Sequence, residues 1–188
     1  TENGITPEYL ALMEIDMDRV MHIPVDDIEQ MKIDIVNRLN EVDKGDRLMI
    51  CVDSLGMIAS RKEIEDAKEG KVVVDMTRAK ASKSFFRLIT AKITKKELYF
   101  VGIQHTYMEI GMYPKAIVGG GTGQIYAANT ILIISKAQVK EKVEGKDALV
   151  GFKFTLNVVK SRYVKEGSKI PFEAHFESGL YRWSGLFD

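Results

Sequence analysis

The clearest pattern along the chain is a set of hydrophobic residues that recur at steps of three and four. Its members are Ile28, Met31, Ile35, Leu39 and Val42. This period predicts one apolar stripe on a helix of about 16 residues. The acidic residues at positions 26–29 predict an N-terminal cap of the capping-box type, with Glu29 as its third helical residue. Residues 44–46 (KGD) end the helix.

Two continuous apolar runs, residues 48–52 and 98–103, lack the alternation of a half-exposed strand. They predict strands that are covered on both faces. A second long helix is expected over residues 72–93 and a short one over residues 7–15, with Thr6 as its N-cap. We also expect a short strand at residues 20–25. The buried side of the second long helix is expected to carry Met76, Ala79, Phe86, Ile89 and Ile93.

Between these elements, residues 59–71 are polar and predict a mobile loop, and residues 106–123 contain five glycines and predict a long loop. The remainder is rich in strands, at residues 130–134, 150–160 and 172–176. Strands that alternate with helices and then give way to hairpins favour an α/β fold, a mostly parallel sheet extended by antiparallel strands. We expect a single domain over residues 1–188.

Composition narrows the class of protein. The 188 residues carry 27 basic and 27 acidic side chains, so a uniformly basic nucleic-acid binder is excluded. Residues 61–96 nevertheless carry 11 basic against 5 acidic side chains, and this segment could face a polyanion or be a solvated helix surface. A single cysteine, Cys51, excludes an internal disulfide and favours a reducing, cytoplasmic location. No apolar run of 18 residues occurs, so no membrane partner is expected.

Candidate chemistry lies where the two apolar runs end. Asp53 and Ser54 follow the first run, and a polar pair, Gln104 and His105, follows the second. Open α/β sheets bind ligands at the carboxyl ends of their strands, and an Asp there holds Mg²⁺ in nucleotide hydrolases. Alternatively, the sequence at 53–56 is an ordinary turn and His105 merely ends a strand. The three histidines lack the spacing of metal ligands.

The glycine run at residues 119–123 has two interpretations. Its backbone N–H groups could cradle a phosphate, or it could act as a hinge. It is not a P-loop, because no G-x-x-x-x-G-K-[ST] motif occurs in the chain. Glu2 is either a general base that activates water or a solvated terminal acid.

In order and spacing, these segments resemble the RecA family of recombinases, and within it the phage branch typified by UvsX. The matching segments are residues 2–10, 50–56, 74–80, 105–107, 119–123 and 157–162. The resemblance covers nearly the whole chain and implies a RecA-like P-loop ATPase core that uses ATP and Mg²⁺. It implies a strand-exchange recombinase that binds single-stranded and double-stranded DNA and assembles with itself into a helical filament, in the host cytoplasm if phage-encoded.

The resemblance also implies roles for individual residues. Glu2 takes the place of the water-activating glutamate, Tyr9 that of the ring stacked on adenine, and Asp53, with Ser54 beside it, that of the Walker B aspartate that holds Mg²⁺. His105 takes the place of the γ-phosphate sensor. Lys160 and Arg162 correspond to a basic pair that reaches the neighbouring subunit's ATP, like an arginine finger in trans.

Two DNA-binding loops are implied, at about residues 65–74 and 106–118. The residues implied to contact DNA are Arg78, less certainly Lys80 and Arg87, Met108, Ile110, Gly119 and Gly120. Such contacts do not read base edges, so binding should tolerate any sequence and depend on salt. Two positions depart from the bacterial branch: Glu109 stands in place of a lysine, and Phe85 in place of a DNA-contacting arginine.

The chain begins at Thr1, and we expect the P-loop, its strand and a polymerisation arm to lie upstream. We therefore expect this chain alone not to hydrolyse ATP, and expect apolar neighbours of the missing strand to be exposed and prone to self-association. The alternatives are a RecA-fold ATPase of another class, such as a helicase or a signalling ATPase, and a non-catalytic assembly fragment.

Overall fold

The computed structural model describes residues 7–12, 14–71, 77–112, 116–143, 146–180 and 183–185. The chain divides into two compact units, residues 1–127 and 128–188, which are described separately below. The expectation of a single domain stays a prediction.

The first unit contains five helices and four short strands among the described residues. The helices are α1 (Pro7–Leu12), α2 (Ile28–Glu41), α3 (Arg61–Lys68), α4 (Thr77–Lys96) and α5 (Thr122–Ala127), with 3₁₀ turns at Met17–Arg19 and Leu55–Met57. The strands are β1 (Met49–Val52), β2 (Tyr99–Gly102), β3 (Thr106–Met108) and β4 (Ala116–Val118). The predicted strand at residues 20–25 is wrong, because this extended segment pairs with no other strand in the described part of the chain.

Helix α2 confirms the apolar stripe. Its buried residues are Ile28, Met31, Ile35 and Leu39. The capping box predicted at its start is wrong in detail: Asp27 is the N-cap and accepts from the Gln30 N–H at 2.7 Å. Glu29 is therefore the second helical residue, and its carboxylate accepts instead from the backbone N–H of Arg61 at 3.0 Å.

Helix α3 replaces much of the loop predicted over residues 59–71. Ser60 caps it by accepting from the Glu63 N–H at 3.1 Å, while the Glu63 carboxylate accepts from the Ser60 N–H at 2.6 Å. This capping box satisfies two N–H groups that the first turn of a helix otherwise leaves unpaired. A polar segment with a good cap has thus formed a helix without burying any residue.

Helix α4 supplies the aromatic part of the core. Phe85 is fully buried and lies against Phe86 and Phe100, with ring centroids 5.1 and 5.9 Å away. Phe86 and Ile89 are buried as predicted, whereas Ala79 is exposed, because Phe85 lies on the side that faces the core. Met76 lies outside the described residues.

Strands β1 and β2 pair in parallel, as predicted, with Met49 opposite Tyr99 and Val52 opposite Gly102. The expectation that both faces of β1 and β2 are covered is wrong. One face carries Val52 in the core shared with α2 and α4, but on the other Met49 is 62% and Tyr99 71% exposed. A single helical layer covers the pair, so alternate residues face outward.

Strands β3 and β4 form an antiparallel hairpin inside the region predicted to be an unstructured loop. The second unit is one antiparallel sheet in the order β5 (Thr130–Val143), β6 (Lys146–Ser161), β7 (Lys169–His175) and β8 (Gly179–Leu180). The predicted antiparallel strands are thus confirmed, although β5 extends nine residues beyond its predicted end at 134.

Candidate functional site

The site begins where β1 and β2 end. Backbone hydrogen bonds continue beyond the paired strands: the Ile103 N–H donates to the Val52 carbonyl at 3.0 Å, and the Leu55 N–H to the Ile103 carbonyl at 2.9 Å. These bonds hold residues 53–54 beside the end of β2. Asp53 is half-buried there, and the peptide bond that joins it to Ser54 is cis.

Ser54 and His105 meet at this edge. The Ser54 side chain is fully buried, and its Oγ lies 3.3 Å from Nε2 of the exposed His105 ring. The hydroxyl can donate or accept, so it can hold either neutral tautomer of the imidazole. The sequence placed these residues at two strand ends, and the parallel pairing of β1 and β2 brings them together.

The glycine segment, defined as Gly119, Gly120 and Gly121, is attached directly to His105. The Gly119 N–H donates to the His105 carbonyl at 3.0 Å. Gly120 and Gly121 have φ values of +80° and +84°, a backbone region that side chains disfavour. The segment that was predicted to cradle a phosphate or to act as a hinge therefore lies against the tip of β2.

Two glutamine side chains, Gln104 and Gln124, complete the contact. Oε1 of Gln104 accepts from the His105 N–H at 3.1 Å, and its Nε2 lies 3.4 Å from Oε1 of Gln124. Nε2 of Gln124 donates to the Gly119 carbonyl. Gln124 is 8% exposed, a degree of burial that polar side chains tolerate when they are hydrogen-bonded. Sequence reasoning identified Gln104 as the polar neighbour of His105 at the end of this strand, but it missed Gln124.

A cavity of about 390 Å³ opens next to these glutamines. Arg78 on α4 reaches it, and its Nη1 donates to the Gly56 carbonyl at 3.2 Å. Gly120 and Gly121 of the glycine segment also line it. The lining residues are Ile28, Leu55, Glu63, Arg78, Ala79, Ser82, Gln104, Gly120, Gly121 and Gln124. Arg78 and the glycine backbone could meet an anionic group in this cavity, beside the Glu63 carboxylate and the apolar side chains of Ile28 and Leu55.

The hairpin of β3 and β4 presents apolar side chains outward. Met108 is 59% exposed, and Ile110 is fully exposed beyond the end of β3. Exposed apolar side chains on a hairpin favour contact with a partner that offers flat apolar surfaces.

The region predicted as the first DNA loop is divided. Residues 65–68 belong to α3, residues 69–71 follow it, and residues 72–74 lie outside the described part. Lys80 and Arg87 are exposed on α4. Phe85, which stands in place of a DNA-contacting arginine in the resemblance, is part of the core.

The other predicted site residues belong to α1, to the second unit or to the part of the chain that the structure does not describe. Glu2 lies outside the described residues, and Tyr9 belongs to α1. Lys160 is in β6, opposite Ile131, and Arg162 follows that strand, its N–H donating to the Asn129 carbonyl at 3.2 Å. Both basic residues belong to the second unit.

Within the described residues, no cluster of three or more His, Cys, Asp or Glu side chains could hold a metal ion. Asp53 by itself still suits Mg²⁺ bound to a nucleotide, because that ion commonly takes one or two carboxylates and completes its shell with phosphate oxygens and water. Of the helices described, none combines the length and the apolar character needed to cross a lipid bilayer.

The chain is similar to a known protein family and to several known proteins. The family model of the RecA N-terminal domain matches residues 1–181. A recombination and repair protein of Enterobacteria phage T4 is 47% identical over 188 residues, covering 100% of this chain and 47% of that protein. Protein RecA of Arthrobacter sp. (strain FB24) is 24% identical over 191 residues, covering 100% of this chain and 52% of its own length. The chain thus spans about half the length of the curated relatives it matches.

Proposed function

The chain belongs to the RecA family, and we propose that it is part of an ATP-dependent DNA strand-exchange recombinase. Such a protein would bind single-stranded DNA as a helical filament and pair it with duplex DNA during recombination and repair. The name of the T4 relative supports this reading. The observation that carries it is the contact between the end of β2 and the glycine segment, since Gly119 bonds directly to the backbone of His105.

The nucleotide side of the proposal uses the ends of β1 and β2. Asp53 would hold Mg²⁺, which supplies positive charge to the phosphates when bound. His105, oriented by the buried Ser54, would meet the terminal phosphate. Tyr9 and Glu2 would contact the base and the attacking water, and Lys160 and Arg162 would act on the nucleotide of a neighbouring copy. We propose that this chain contributes to a P-loop ATPase core but does not hydrolyse ATP alone, because it contains no P-loop motif.

The DNA side of the proposal uses the cavity and the hairpin. Arg78 and the backbone of Gly120 would contact phosphates, since both residues line one cavity. Gly119 would lie beside this contact and hold Gly120 in place, because its own N–H is bonded to the His105 carbonyl. Met108 and Ile110 would contact base faces, since every base offers an apolar face irrespective of sequence. The surface would therefore bind single strands of any sequence.

The proposal is tested with Arg78→Ala. We expect the Kd for a labelled oligo(dT) strand to rise about 10- to 100-fold, the usual cost of one charge-assisted hydrogen bond. The salt dependence of log Kobs should also decrease by about 0.7 for the lost phosphate contact. Fluorescence anisotropy at two salt concentrations measures both quantities.

The matched control is Arg47→Ala, because Arg47 is exposed and lies away from the cavity. Its affinity for oligo(dT) should equal that of the parent chain. Failure of the parent chain to bind oligo(dT), or an equal loss in both variants, would contradict the proposed DNA surface. A circular dichroism spectrum of each variant checks that it is folded.

A further inference from the structure

The glutamine side chains beside His105 belong to a closed ring of hydrogen bonds. Starting from His105, its N–H donates to Gln104 Oε1 and its carbonyl accepts from the Gly119 N–H. Gln124 closes the ring, since it contacts the Gln104 amide on one side and the Gly119 carbonyl on the other. The N–H and the carbonyl of His105 are therefore linked to those of Gly119. The link is either the direct Gly119–His105 hydrogen bond or the path through the two glutamine amides.

Gly120 shows how closely the ring fits. A Cβ added at this position would collide with Gln104 Nε2 and would lie 2.7 Å from Gln124 Nε2. The two amide groups therefore occupy the space that a side chain at residue 120 would take. At Gly119, a Cβ would approach the His105 carbonyl to 3.2 Å. The glycine segment is thus held in one position, which a freely moving hinge would not be.

We propose that Gln104 and Gln124 form an amide bridge that couples the position of His105 to that of the glycine segment. The inference rests on the proposed function and deepens it: Gln124 is a positioning residue of the single-stranded DNA surface. A shift of the end of β2 moves Gly119 through two routes, the direct bond and the bridge. Without the bridge, only the Gly119–His105 bond remains, and Gly120 and Gly121 lose their fixed orientation.

The bridge is tested by Gln104→Met, Gln124→Met and the double variant, because Met preserves side-chain length but cannot make these hydrogen bonds. Hydrogen exchange of the Gly119 amide, followed by NMR, is the readout, because the Gly119 N–H is bonded to the His105 carbonyl. We expect each single variant to exchange about fivefold faster, as one net hydrogen bond implies. The double variant should show less than the product of the two single effects, about 25-fold, because the shared Gln104–Gln124 contact is lost only once.

Gln138→Met is the matched control, since Gln138 is an exposed glutamine of β5 in the second unit. It should leave the exchange of the Gly119 amide unchanged. Unchanged exchange in the bridge variants, or independent multiplying effects in the double variant, would overturn the inference. A purely stabilising role would instead lower protection throughout α4 and α2, which the same spectra report.

Oligo(dT) binding separates this inference from the proposed function. We expect Gln124→Met to bind about threefold more weakly, because the glycine segment must then be ordered on binding. If the parent chain binds oligo(dT) but the bridge variants exchange normally, the bridge is wrong and the DNA surface stands. If exchange responds as expected but the parent chain does not bind, the coupling stands and its use in DNA binding is wrong.

Discussion

The two units of the molecule bury hydrophobic residues to very different degrees. In the first unit, helices α2 and α4 cover one face of β1 and β2, so side chains such as Leu39 and Phe85 are fully buried. In the second unit, four strands form one sheet, and Val158 is the only fully buried hydrophobic residue among those described there. In the first unit, the apolar pattern produces a core because helices pack on the strand pair as a second layer.

The largest expected effect is on the core of the first unit. Phe85→Ala should lower the free energy of unfolding by about 3–5 kcal/mol, because it leaves a cavity between Phe86 and Phe100. Urea denaturation followed by circular dichroism at 222 nm measures this, since the described helices belong to this unit. Leu88→Ala, at a half-exposed position of the same helix, is the control. Equal losses in the two variants would mean that α4 does not face the core as described.

An intermediate effect is expected in the sheet of the second unit. Phe154 stacks on Phe172 across neighbouring strands, with centroids 5.1 Å apart and ring planes 18° apart. Phe154→Ala should cost about 1–2 kcal/mol, because the pair is only partly buried. Denaturation followed by Trp183 fluorescence reports on this unit, and Tyr163→Ala supplies an exposed aromatic control. A loss as large as that of Phe85→Ala would remove the difference between the units.

A smaller effect is expected for a local contact of the first unit. Ser60→Ala removes one half of the capping box at the start of α3. The loss should be about 1 kcal/mol, the usual value for an N-cap. Chemical denaturation measures it, with the exposed Lys62→Ala in the same helix as the control. If Ser60→Ala is neutral, the cap does not hold α3 in solution.

The smallest effect concerns charge. Burial alone raises the pKa of Asp27, but hydrogen bonds from the Gln30 N–H and from Arg61, together with the Arg61 charge, lower that pKa below its ordinary 3.8. The carboxylate therefore stabilises the fold fully above about pH 4, and this contribution disappears as the pH falls through the lowered value.

Asp27→Asn keeps a good N-cap and removes the charge. Its stability at pH 7 should be lower than that of the parent chain by less than about 1 kcal/mol, because Arg61 is largely exposed. Thermal melts at pH 7 and pH 3 measure the difference, which should shrink at the lower pH. A stability difference of the same size at pH 7 and pH 3 would show that it does not arise from the Asp27 charge.

Patterns of neighbouring residues predicted helices and strands correctly where tertiary packing favoured the same structure. The stripe from Ile28 to Leu39 predicted α2, because a helical period is a property of neighbouring residues. Helix α3 was missed because residues 61–68 contain few apolar residues, although Ser60 and Glu63 carried a capping signal. Residues 20–25 read as a strand from their apolar content, but a strand also requires a pairing partner.

The candidate site was predicted in part. Asp53 and His105 were recognised because each follows an apolar run, and a parallel sheet gathers strand ends at one edge. Gln104 was noticed only as the polar neighbour of His105, and Gln124 was not recognised, because glutamine marks neither a turn, a cap nor a charge. Their contact spans 20 residues of sequence and depends on the hairpin of β3 and β4.

By itself, the sequence determined the two long helices, the polar residues that follow β1 and β2, and the glycine run at residues 119–123. These features depend on residues that are close along the chain. The tertiary structure alone decided that one face of β1 and β2 stays exposed and that Ser54 meets His105 across 51 residues. The physical reason is that burial and long-range hydrogen bonds depend on which layers and strands become neighbours, which no local period specifies.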